Sequence, residues 1–305
     1  MEHLPLEPVR PARLRVGVVG AGRVGAVLGA ALARAGHRVV GVSAVSDASR
    51  ARAAALLPSA PVLPVDEVVS GADLVLLTVP DDALAALVDG LVATGALRRG
   101  TLLAHTSGRH GVAVLQPAVE AGALPLAVHP ALTFAGTAVD LERLVGVAFG
   151  LTAPEPLLPV GEALVLEMGG EPVRLTEEQR PLWHAALAHG ANHLTTLVAG
   201  AADLLRRAGV EQPGAVLAPL LGAALDGALQ RGDAALTGPV ARGDAGTVSA
   251  HLAALEAAAP EVLPSYLALA RLTADRALAS GRLDADRAGA LLAVLAPATP
   301  GGVGR

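Results

Sequence analysis

The sequence predicts an α/β fold in which a doubly wound parallel sheet precedes a smaller all-α domain. Up to about residue 173, apolar runs of strand length alternate with helical patterns, and this alternation is typical of a parallel sheet covered by helices. The first run, LRVGVVG, is continuously apolar, as expected of a strand that is buried on both faces. After residue 173 no further strand is recognised, and helical patterns follow.

The first strand leads into a glycine motif. Gly20-Ala21-Gly22-Arg23-Val24-Gly25 matches G-x-G-x-x-G, and a helical pattern follows at once. Strand, glycine turn and helix N-terminus together form the dinucleotide-binding motif of a Rossmann fold. The first glycine allows a tight turn, the second lets the backbone approach a pyrophosphate, and the third lets helix and strand pack closely. We therefore predict that these six residues bind a dinucleotide, with free N–H groups of the helix holding the anion.

The end of the second predicted strand bears on the choice of cofactor. Ser43 stands where a carboxylate often binds the ribose of NAD, and Ser46, Arg50 and Arg52 follow. Hydroxyl and guanidinium groups favour a 2′-phosphate, so we predict NADP, bound by Ser43, Ser46 and Arg50, with NAD as the alternative. Asp47 is the residue that supports NAD. The other interpretation is an ordinary helix start with Ser46 or Asp47 as N-cap.

Three further predicted strands end in polar residues, and two of them deliver a histidine. In a doubly wound sheet, ligands collect at the carboxyl ends of the strands. We predict that the cofactor contacts the residues at the ends of the first two of these strands, namely Val79, Pro80, Asp81, His105 and Thr106. Ser107 and His129 then lie beside the substrate. The alternative for Asp81 is that it, or Asp82, caps the next helix.

A long helix begins the second domain. The segment at residues 176–179 fits a capping box, Pro181 favours a start near that residue, and the helical pattern continues to Ala208. His184 and Asn192 lie on this helix and are predicted to face the substrate. His189 and His193 are four residues apart, as in a helical zinc site, but no third ligand is evident, so no metal is predicted. After this helix, residues 236–244 form a glycine- and proline-containing loop, in which Arg242 is a candidate ligand for a substrate carboxylate.

The composition excludes several classes of function. The chain contains no Lys and no Cys, which excludes a lysine acid, a Schiff base, disulfides and thiol catalysis. Its net charge is −5, which makes nucleic acid an unexpected partner. No apolar stretch of about 20 residues is free of charge or proline, so no membrane span is predicted. The N-terminus lacks the features of a signal peptide, and we expect a cytoplasmic protein.

Taken together, the motifs VPDD, HTSG, HPALTF, HAALAHGANHL and LTGPVARGD resemble a Rossmann-like oxidoreductase family whose helical C-terminal part is a domain of unknown function. This family is similar in architecture to pyrroline-5-carboxylate reductase, ketopantoate reductase and the 6-phosphogluconate and 3-hydroxyisobutyrate dehydrogenases. The resemblance implies NADP in the first domain, substrate at the domain junction and a homodimer through the helical domain. In several of these relatives a Lys and an Asn on the long helix bind the substrate carbonyl. Asn192 matches the Asn, but Ala188 stands where the Lys would be.

The predicted function is an NADP-dependent oxidoreductase that transfers a hydride to a small 2-oxo acid or a cyclic imine. Ketopantoate is the first substrate to test, on the resemblance alone. Since Lys is absent, His129 or His184 is the predicted proton donor, and Asn192 orients the substrate oxygen. Ser107 and Arg242 hold the carboxylate. Two alternatives stay open: a non-catalytic NADP-binding regulator or scaffold, and a metal-dependent enzyme.

The predicted domain organisation follows from these assignments. Residues 1–12 carry three prolines and are expected to form a flexible arm. Residues 13–173 form the NADP-binding Rossmann domain, and residues 174–296 form the helical domain for substrate and dimerisation. Residues 297–305 are expected to be a disordered tail.

Overall fold

A computed structural model describes residues 13–296 of the protein. The predicted N-terminal arm and C-terminal tail lie outside these residues. The chain divides into two compact units, Met1–Asn192 and His193–Arg305. None of the helices within residues 13–296 combines the length and the apolar character that crossing a membrane requires.

The first unit is built on a seven-stranded sheet in the order β2-β1-β3-β4-β5-β6-β7. The strands are Arg15–Val19 (β1), Arg38–Ser43 (β2), Leu74–Leu77 (β3), Leu102–His105 (β4), Leu124–Pro130 (β5), Ala148–Thr152 (β6) and Glu171–Arg174 (β7). All neighbouring strands are parallel except β5 and β6. The chain order reverses between β1 and β3, so the carboxyl ends of these strands flank the crevice where such sheets bind ligands.

Seven α-helices precede the last strand. They are Arg23–Arg34 (α1), Asp47–Leu56 (α2), Val65–Ser70 (α3), Asp81–Ala93 (α4), Gln116–Glu120 (α5), Val139–Arg143 (α6) and Leu158–Glu167 (α7). They cover both faces of the sheet, because two separate cores lie against it. Leu76 packs into one core and the next residue, Leu77, into the other, as the alternation of side chains along a strand requires. This arrangement confirms the doubly wound α/β fold.

Two local predictions for the sheet were wrong. The sheet is not wholly parallel, since β6 runs against β5; the connection between them contains only the five-residue helix α6, whereas a parallel crossover usually carries a full helix. Residues 61–63, which the sequence favours as a short strand, form only a single bridge, between Val42 and Val62. Pro61 within this segment and Pro64 after it lack the N–H groups that a longer ladder would need.

The boundary between the units differs from the one predicted after residue 173. The helix Arg180–Leu187 (α8) and the π-helical segment Ala188–Asn192 belong to the first unit. The reason is Arg180, whose buried side chain bonds to β5, β6 and the loop after β4. The single helix predicted for residues 181–208 is therefore three consecutive segments: α8, the π segment and the helix His193–Arg207 (α9).

The second unit is entirely helical in its described part. After α9 it contains Pro213–Arg231 (α10), Gly238–Arg242 (α11), Ala245–Ala258 (α12), Leu263–Ala279 (α13) and Ala285–Val294 (α14). Small residues dominate its core: Ala270, Ala274 and Ala277 of α13 pack against leucines of the last helix and the segment before it. Helix α9 has no fully buried residue, and its Leu194 and Leu197 are exposed.

Candidate functional site

The glycine turn after β1 has the geometry that the sequence motif predicts. Gly20 has a φ of +96°, a backbone conformation that glycine adopts readily and other residues rarely. A Cβ at Gly25 would lie 2.2 Å from Thr78 Oγ1 and 2.3 Å from Gly20 O, so no side chain fits there. At Gly22 the nearest atom to such a Cβ would be 4.0 Å away, which leaves this face of the turn open. The turn therefore combines close packing on one side with free access on the other.

Two hydroxyl-bearing residues hold this turn in place. Ser43 Oγ accepts a hydrogen bond from Gly20 N (3.0 Å), and Ser43 O accepts one from Ala21 N (2.8 Å). From the other side, Thr78 Oγ1 donates to Gly20 O (2.6 Å). The buried Ser43 thus supports the turn from behind, which differs from the predicted contact with a 2′-phosphate.

The N-terminus of α1 offers a site for an anion. Gly22 is the N-cap and provides no side-chain acceptor, and the first turn holds no acidic residue. The first N–H groups of a helix need partners, and they sit at the positive end of its dipole. Arg23 and Val24 lie in this first turn, and the side chain of Arg23 is exposed. A phosphate group is the type of ligand that such an end binds.

Arginines surround the region beyond β2. Arg50 Nη1 donates to Ala44 O (3.2 Å), and its Nε lies 3.5 Å from the fully exposed Asp47. Arg52 is partly buried, and its Nε has no hydrogen-bond partner among the described residues. Gly136 lies against the stems of both Arg52 and Arg23, since a Cβ there would be 2.9 Å and 2.7 Å from their side-chain carbons. The two guanidinium stems therefore converge on one loop.

Ser46 has a structural role in the same region. It is the N-cap of α2, and its Oγ accepts a hydrogen bond from Ser49 N at 3.1 Å. The alternative interpretation of this segment, an ordinary capped helix start, therefore describes Ser46. Its contact with a cofactor stays a prediction.

The segment after β3 begins α4, but the alternative interpretation, a cap by Asp81 or Asp82, was wrong, because Pro80 is the N-cap and no side chain caps the helix. Asp81 is the first residue of α4, and Val79 and Pro80 precede it. The Asp81 carboxylate lies 3.5 Å from Arg109 Nε, so it joins this segment to the loop after β4. The side chain of Asp81 remains one-third exposed at the carboxyl edge of the sheet.

His105 shapes the loop after β4 from the inside. It is fully buried; its Nε2 lies 2.8 Å from Gly111 O, and its Nδ1 accepts from Ser107 N at 3.2 Å. Burial lowers the pKa of His105 to about 4, so the ring is neutral at physiological pH. Both ring nitrogens of His105 thus already have partners within the protein, and its contact with the cofactor stays a prediction.

The two residues after His105 continue this loop. Thr106 N donates to Leu77 O at 3.3 Å, which ties the loop to β3. Ser107 is buried, and its Oγ accepts a hydrogen bond from His110 N at 3.2 Å. Ser107 thereby fixes the turn that carries Gly108, and its contact with substrate stays a prediction.

His129, near the end of β5, meets two rings from α8. Its Nδ1 accepts a hydrogen bond from Trp183 Nε1 at 3.1 Å. The ring of His184 stands nearly perpendicular to it, with 5.8 Å between the ring centroids. Burial, followed by the nearby His184 and Arg180, lowers the pKa of His129 to about 4. The structure therefore brings together the two histidines that the sequence predicted as donors, and His129 is neutral.

A cavity of about 140 Å³ opens beside these histidines. His129 and Thr133 line one side, and His184, Ala188 and Asn192 line the other. Gly108 adjoins both rings, since a Cβ there would be 2.9 Å from His129 Nε2 and 2.5 Å from His184 Cδ2. The described lining includes no carboxylate and no arginine. The polar lining thus consists of histidine, hydroxyl and amide groups, and the cavity is large enough for one small functional group.

Arg180 is a buried cation behind this cavity. Its side chain is fully buried, and it donates to Thr152 Oγ1 (2.8 Å), Ser107 O (2.9 Å), and, through Nη2, to the carbonyls of Ala127 (2.6 Å) and Gly150 (2.8 Å). It takes part in no salt bridge within residues 13–296. Burial lowers its pKa to about 10, so it stays charged at neutral pH. Four acceptors from three segments compensate for the loss of water.

Two other predicted groups lie elsewhere. Arg242 is the exposed last residue of α11 in the second unit, and its role as a carboxylate ligand stays a prediction. Among the described residues no group of three or more His, Cys, Asp or Glu side chains forms a metal site. A larger cavity, about 760 Å³, lies within the helical unit and is lined mainly by apolar residues, with His251 and Tyr266 among them.

Sequence reasoning missed Gly108, Arg180 and Trp183 as parts of the site. Arg180 is one of 23 arginines, and in such a chain a single arginine gives no signal. Trp183 is the only tryptophan, and its place three residues after Arg180, on the same face of α8, was the available clue. Gly108 directly follows two polar residues, Thr106 and Ser107, that come after the end of β4. Glycine has no side chain, so it lets a ligand or a ring approach the backbone closely.

Comparisons with known proteins agree with this architecture. Residues 4–130 match a Rossmann-like domain, and residues 147–273 match a domain of unknown function, DUF2520. None of the curated proteins matches the sequence.

Solved structures resemble nearly the whole chain. A proposed NADP oxidoreductase of Bacteroides fragilis is 24% identical with a TM-score of 0.75, over 86% of this chain and 98% of its own. A Thermotoga maritima protein is 20% identical with a TM-score of 0.64, over 87% and 99%. A 1-pyrroline-5-carboxylate reductase of Streptococcus pyogenes is 14% identical with a TM-score of 0.58, over 87% and 98%. At these identities the likeness shows the fold alone: a Rossmann-like domain followed by a part that matches the domain of unknown function DUF2520.

Proposed function

We propose that the chain binds NADP(H) at the glycine turn and acts as an oxidoreductase on a small carbonyl or imine compound. The observation that carries the proposal is the turn itself. The N-terminus of α1 has no side-chain cap and no acidic residue in its first turn, and the packing around Gly25 leaves no room for a side chain there. Rossmann-like proteins use this arrangement to hold a pyrophosphate. The named relatives, an NADP oxidoreductase and pyrroline-5-carboxylate reductases, support the same class.

The residues beyond β2 fit the 2′-phosphate of NADP better than the free ribose of NAD. Arg52 Nε is buried without a partner, and a phosphate oxygen would supply one. Arg23 and Arg50 add positive charge nearby, whereas the one acidic residue, Asp47, points its fully exposed carboxylate to solvent. Guanidinium groups bind phosphate through charge-assisted hydrogen bonds.

Calorimetry with NADPH and NADH tests the cofactor. We expect NADPH to bind more tightly, and Arg52→Gln to weaken NADPH about tenfold while NADH changes little, because only NADPH carries the 2′-phosphate. Arg34→Gln is the matched control, since Arg34 is an exposed arginine whose partner is Glu142. Equal affinities for both cofactors would refute the phosphate contact, and no heat with either would refute cofactor binding.

The chemistry needs little from the protein beyond orientation and a hydrogen-bond donor. The cofactor, when bound, supplies the hydride. His129 and Asn192 line the same small cavity and are placed to orient an acceptor atom of the substrate. The rings of Trp183 and His184 fix His129 from two sides, and such fixation reduces the cost of positioning at the moment of reaction.

A small 2-oxo acid or a cyclic imine is the proposed substrate class. The cavity accepts one small neutral group, and Ser107 is the proposed ligand for the carboxylate of such a substrate; a role of Arg242 as a carboxylate ligand is a separate proposal for the second unit. A turnover assay with NADPH against 2-oxo acids, ketopantoate among them, and cyclic imines tests the class. We expect oxidation of NADPH with at least one of them, and an Asn192→Ala variant to lower that rate at least tenfold. Tight cofactor binding without turnover of any compound would instead favour the NADP-binding regulator.

We also propose that the chain forms a homodimer through its helical unit. Leu220 and Leu229 of α10 are 63% and 79% exposed, and no residue of α9 is buried. Exposed apolar surface often marks an interface, and the mainly apolar cavity lined in part by His251 and Tyr266 lies in the same unit. Sedimentation should show a dimer that Leu220→Glu dissociates. Leu166→Glu, at a similarly exposed leucine of the first unit, should leave it intact, and a monomeric wild-type chain would refute the proposal.

A further inference from the structure

Trp183 and His129 form a hydrogen bond whose direction is fixed by chemistry. The indole N–H is a donor and has no acceptor capacity, and it lies 3.1 Å from His129 Nδ1. The two rings stand nearly perpendicular, at 85°. Gly150 on β6 makes this position possible, because a Cβ there would lie 3.1 Å from the indole ring. The fold thus reserves space for this tryptophan beside the histidine.

The contact determines which nitrogen of His129 carries a proton. A neutral imidazole has one N–H, and Nδ1 must be the acceptor opposite Trp183. Nε2 therefore carries the proton. This nitrogen adjoins Gly108, and His129 is a lining residue of the small cavity. The site consequently presents a hydrogen-bond donor to whatever enters.

The same contact works against a second proton on the ring. Protonation would place a hydrogen on Nδ1, directly opposite the indole N–H. His184 and Arg180 also disfavour the charged form, and Asp81 alone favours it; together with burial, these groups keep the pKa of His129 at about 4. At neutral pH the His129 ring is therefore uncharged and donates a hydrogen bond. It is not in the protonated imidazolium form, which would act as a proton-donating acid.

We propose that Trp183 is a positioning residue that holds His129 as the Nε2–H tautomer, and that the site thereby selects a carbonyl oxygen over a protonated imine. This inference rests on the proposed reductase function. A carbonyl oxygen has lone pairs to accept the Nε2–H bond. An iminium nitrogen has none, and its positive charge finds no carboxylate in the described cavity lining. Among the two substrate classes, the structure favours the 2-oxo acid.

The reaction balances without a proton from His129. Bound NADPH would supply a hydride to the carbonyl carbon and would be oxidised to NADP⁺; the electron pair of the C–O π bond would move to oxygen, and water would supply the proton of the new hydroxyl and leave as hydroxide. His129 keeps its proton and stabilises the developing oxyanion through the Nε2–H hydrogen bond. Removing one such donor typically costs about 10²–10³ in kcat. Misorienting it through Trp183 should cost less.

The tautomer is measured directly by two-bond ¹H–¹⁵N correlation spectra of the ¹⁵N-histidine-labelled full chain at neutral pH. His129→Gln assigns the signals. We expect one Nε2–H tautomer in the wild type and a mixture in Trp183→Phe, which keeps an aromatic ring and loses the N–H. Leu182→Ala, at an exposed neighbour on α8, should leave the spectrum of His129 unchanged. An Nδ1–H or averaged signal in the wild type would refute the inference whatever the enzyme's activity.

Kinetics test the consequence for substrate. We expect kcat/KM for the best 2-oxo acid to exceed that for any cyclic imine by at least a hundredfold, and Trp183→Phe to lower kcat about tenfold with little change in KM. A merely structural role would change stability without this split. Imines reduced as well as oxo acids would overturn the substrate selection. No turnover with any compound would overturn the proposed function and the selection together, while the spectra still decide the tautomer.

Discussion

Replacing Arg180 tests whether one buried cation holds the site together. In Arg180→Met the carbonyls of Ser107, Ala127 and Gly150 and the hydroxyl of Thr152 lose a buried donor. An unsatisfied buried polar group costs roughly 1–3 kcal/mol. The carbonyls of Ala127 and Gly150 also take part in strand pairing, so their losses count less. We expect a loss of about 3 kcal/mol in the free energy of unfolding.

Urea denaturation followed by tryptophan fluorescence measures this loss. Trp183 is the only tryptophan of the chain and lies three residues from the substitution, so its emission reports on the first unit. Arg34→Met is the control, because Arg34 forms an exposed ion pair with Glu142, and such pairs contribute about 0–1 kcal/mol. Arg180→Lys separates charge from geometry: it keeps the cation, but a single ammonium does not reach four acceptors in three segments. If Arg180→Met lost no more stability than Arg34→Met, the proposed role of the buried cation would be refuted.

Three further predictions concern the histidines and glycines of the first unit. The pKa values of His105 and His129, about 4, lie below the ordinary 6.5. Between these pH values the unfolded chain therefore binds more protons than the folded chain, and the free energy of unfolding falls as pH drops from 6.5 to 4. Urea titrations should show that His129→Gln makes the free energy of unfolding depend less on pH. Gly25→Ala should cost about 1–3 kcal/mol and abolish NADPH binding by calorimetry, whereas Gly90→Ala, in open space on α4, should stabilise by about 0.5–1 kcal/mol. Gly108→Ala should block turnover and leave NADPH affinity unchanged.

Each of these predictions has an outcome that contradicts it. Stability that is flat between pH 4 and 6.5 would mean that the two histidines titrate normally in the folded chain. A Gly25→Ala variant that binds NADPH with wild-type affinity would place the pyrophosphate elsewhere. Full activity of Gly108→Ala would show that the space between the two histidine rings is not used by substrate.

The sheet and the glycine turn were predictable because each follows from local rules. A buried strand, a turn that requires a positive φ at Gly20 and an amphipathic helix are encoded within about 25 neighbouring residues, and no distant contact is needed to recognise them. The position of His129 was predictable because the ends of the strands share an edge, whereas His184 lies on α8 and comes to the same cavity through tertiary packing. The interpretation of Ser46 was decided by helix capping, which the sequence left as one of two options.

The roles of Arg180 and His105 could not be predicted, since they depend on groups far apart in the chain. Arg180 bonds to Ser107 and Ala127, 73 and 53 residues away, and no periodicity encodes such contacts. His105 was assigned to the cofactor because it ends a strand, but its burial against Gly111 is a property of the loop conformation. Local patterns give the edge at which a side chain lies, and tertiary packing decides whether it faces inward or outward.

The break in the long helix follows the same distinction. The apolar pattern of residues 181–208 is continuous, but Ala188–Asn192 is π-helical. A π segment inserts one residue into the turn and shifts the face on which the following side chains lie, and such segments are frequent at functional sites. The angle around the helix axis between His184 and Asn192 therefore differs from the one that an ideal α-helix would give. Both nevertheless line the cavity beside His129.

The charges around the cavity lead to a definite pH–rate profile. The imidazolium form of His129 loses its second ring proton with a pKa of about 4, and Arg180 loses its proton with a pKa of about 10, so between these values neither group changes charge. A neutral Nε2–H donor backed by a permanent buried cation stabilises an oxyanion equally well across that range. We therefore expect the rate constant for reduction of the carbonyl compound to be constant from about pH 5 to 9 in single-turnover measurements with NADPH. An ascending or descending limb near pH 6.5 would instead require a histidine that titrates in the reaction, and His129 would then be a general acid rather than a fixed donor.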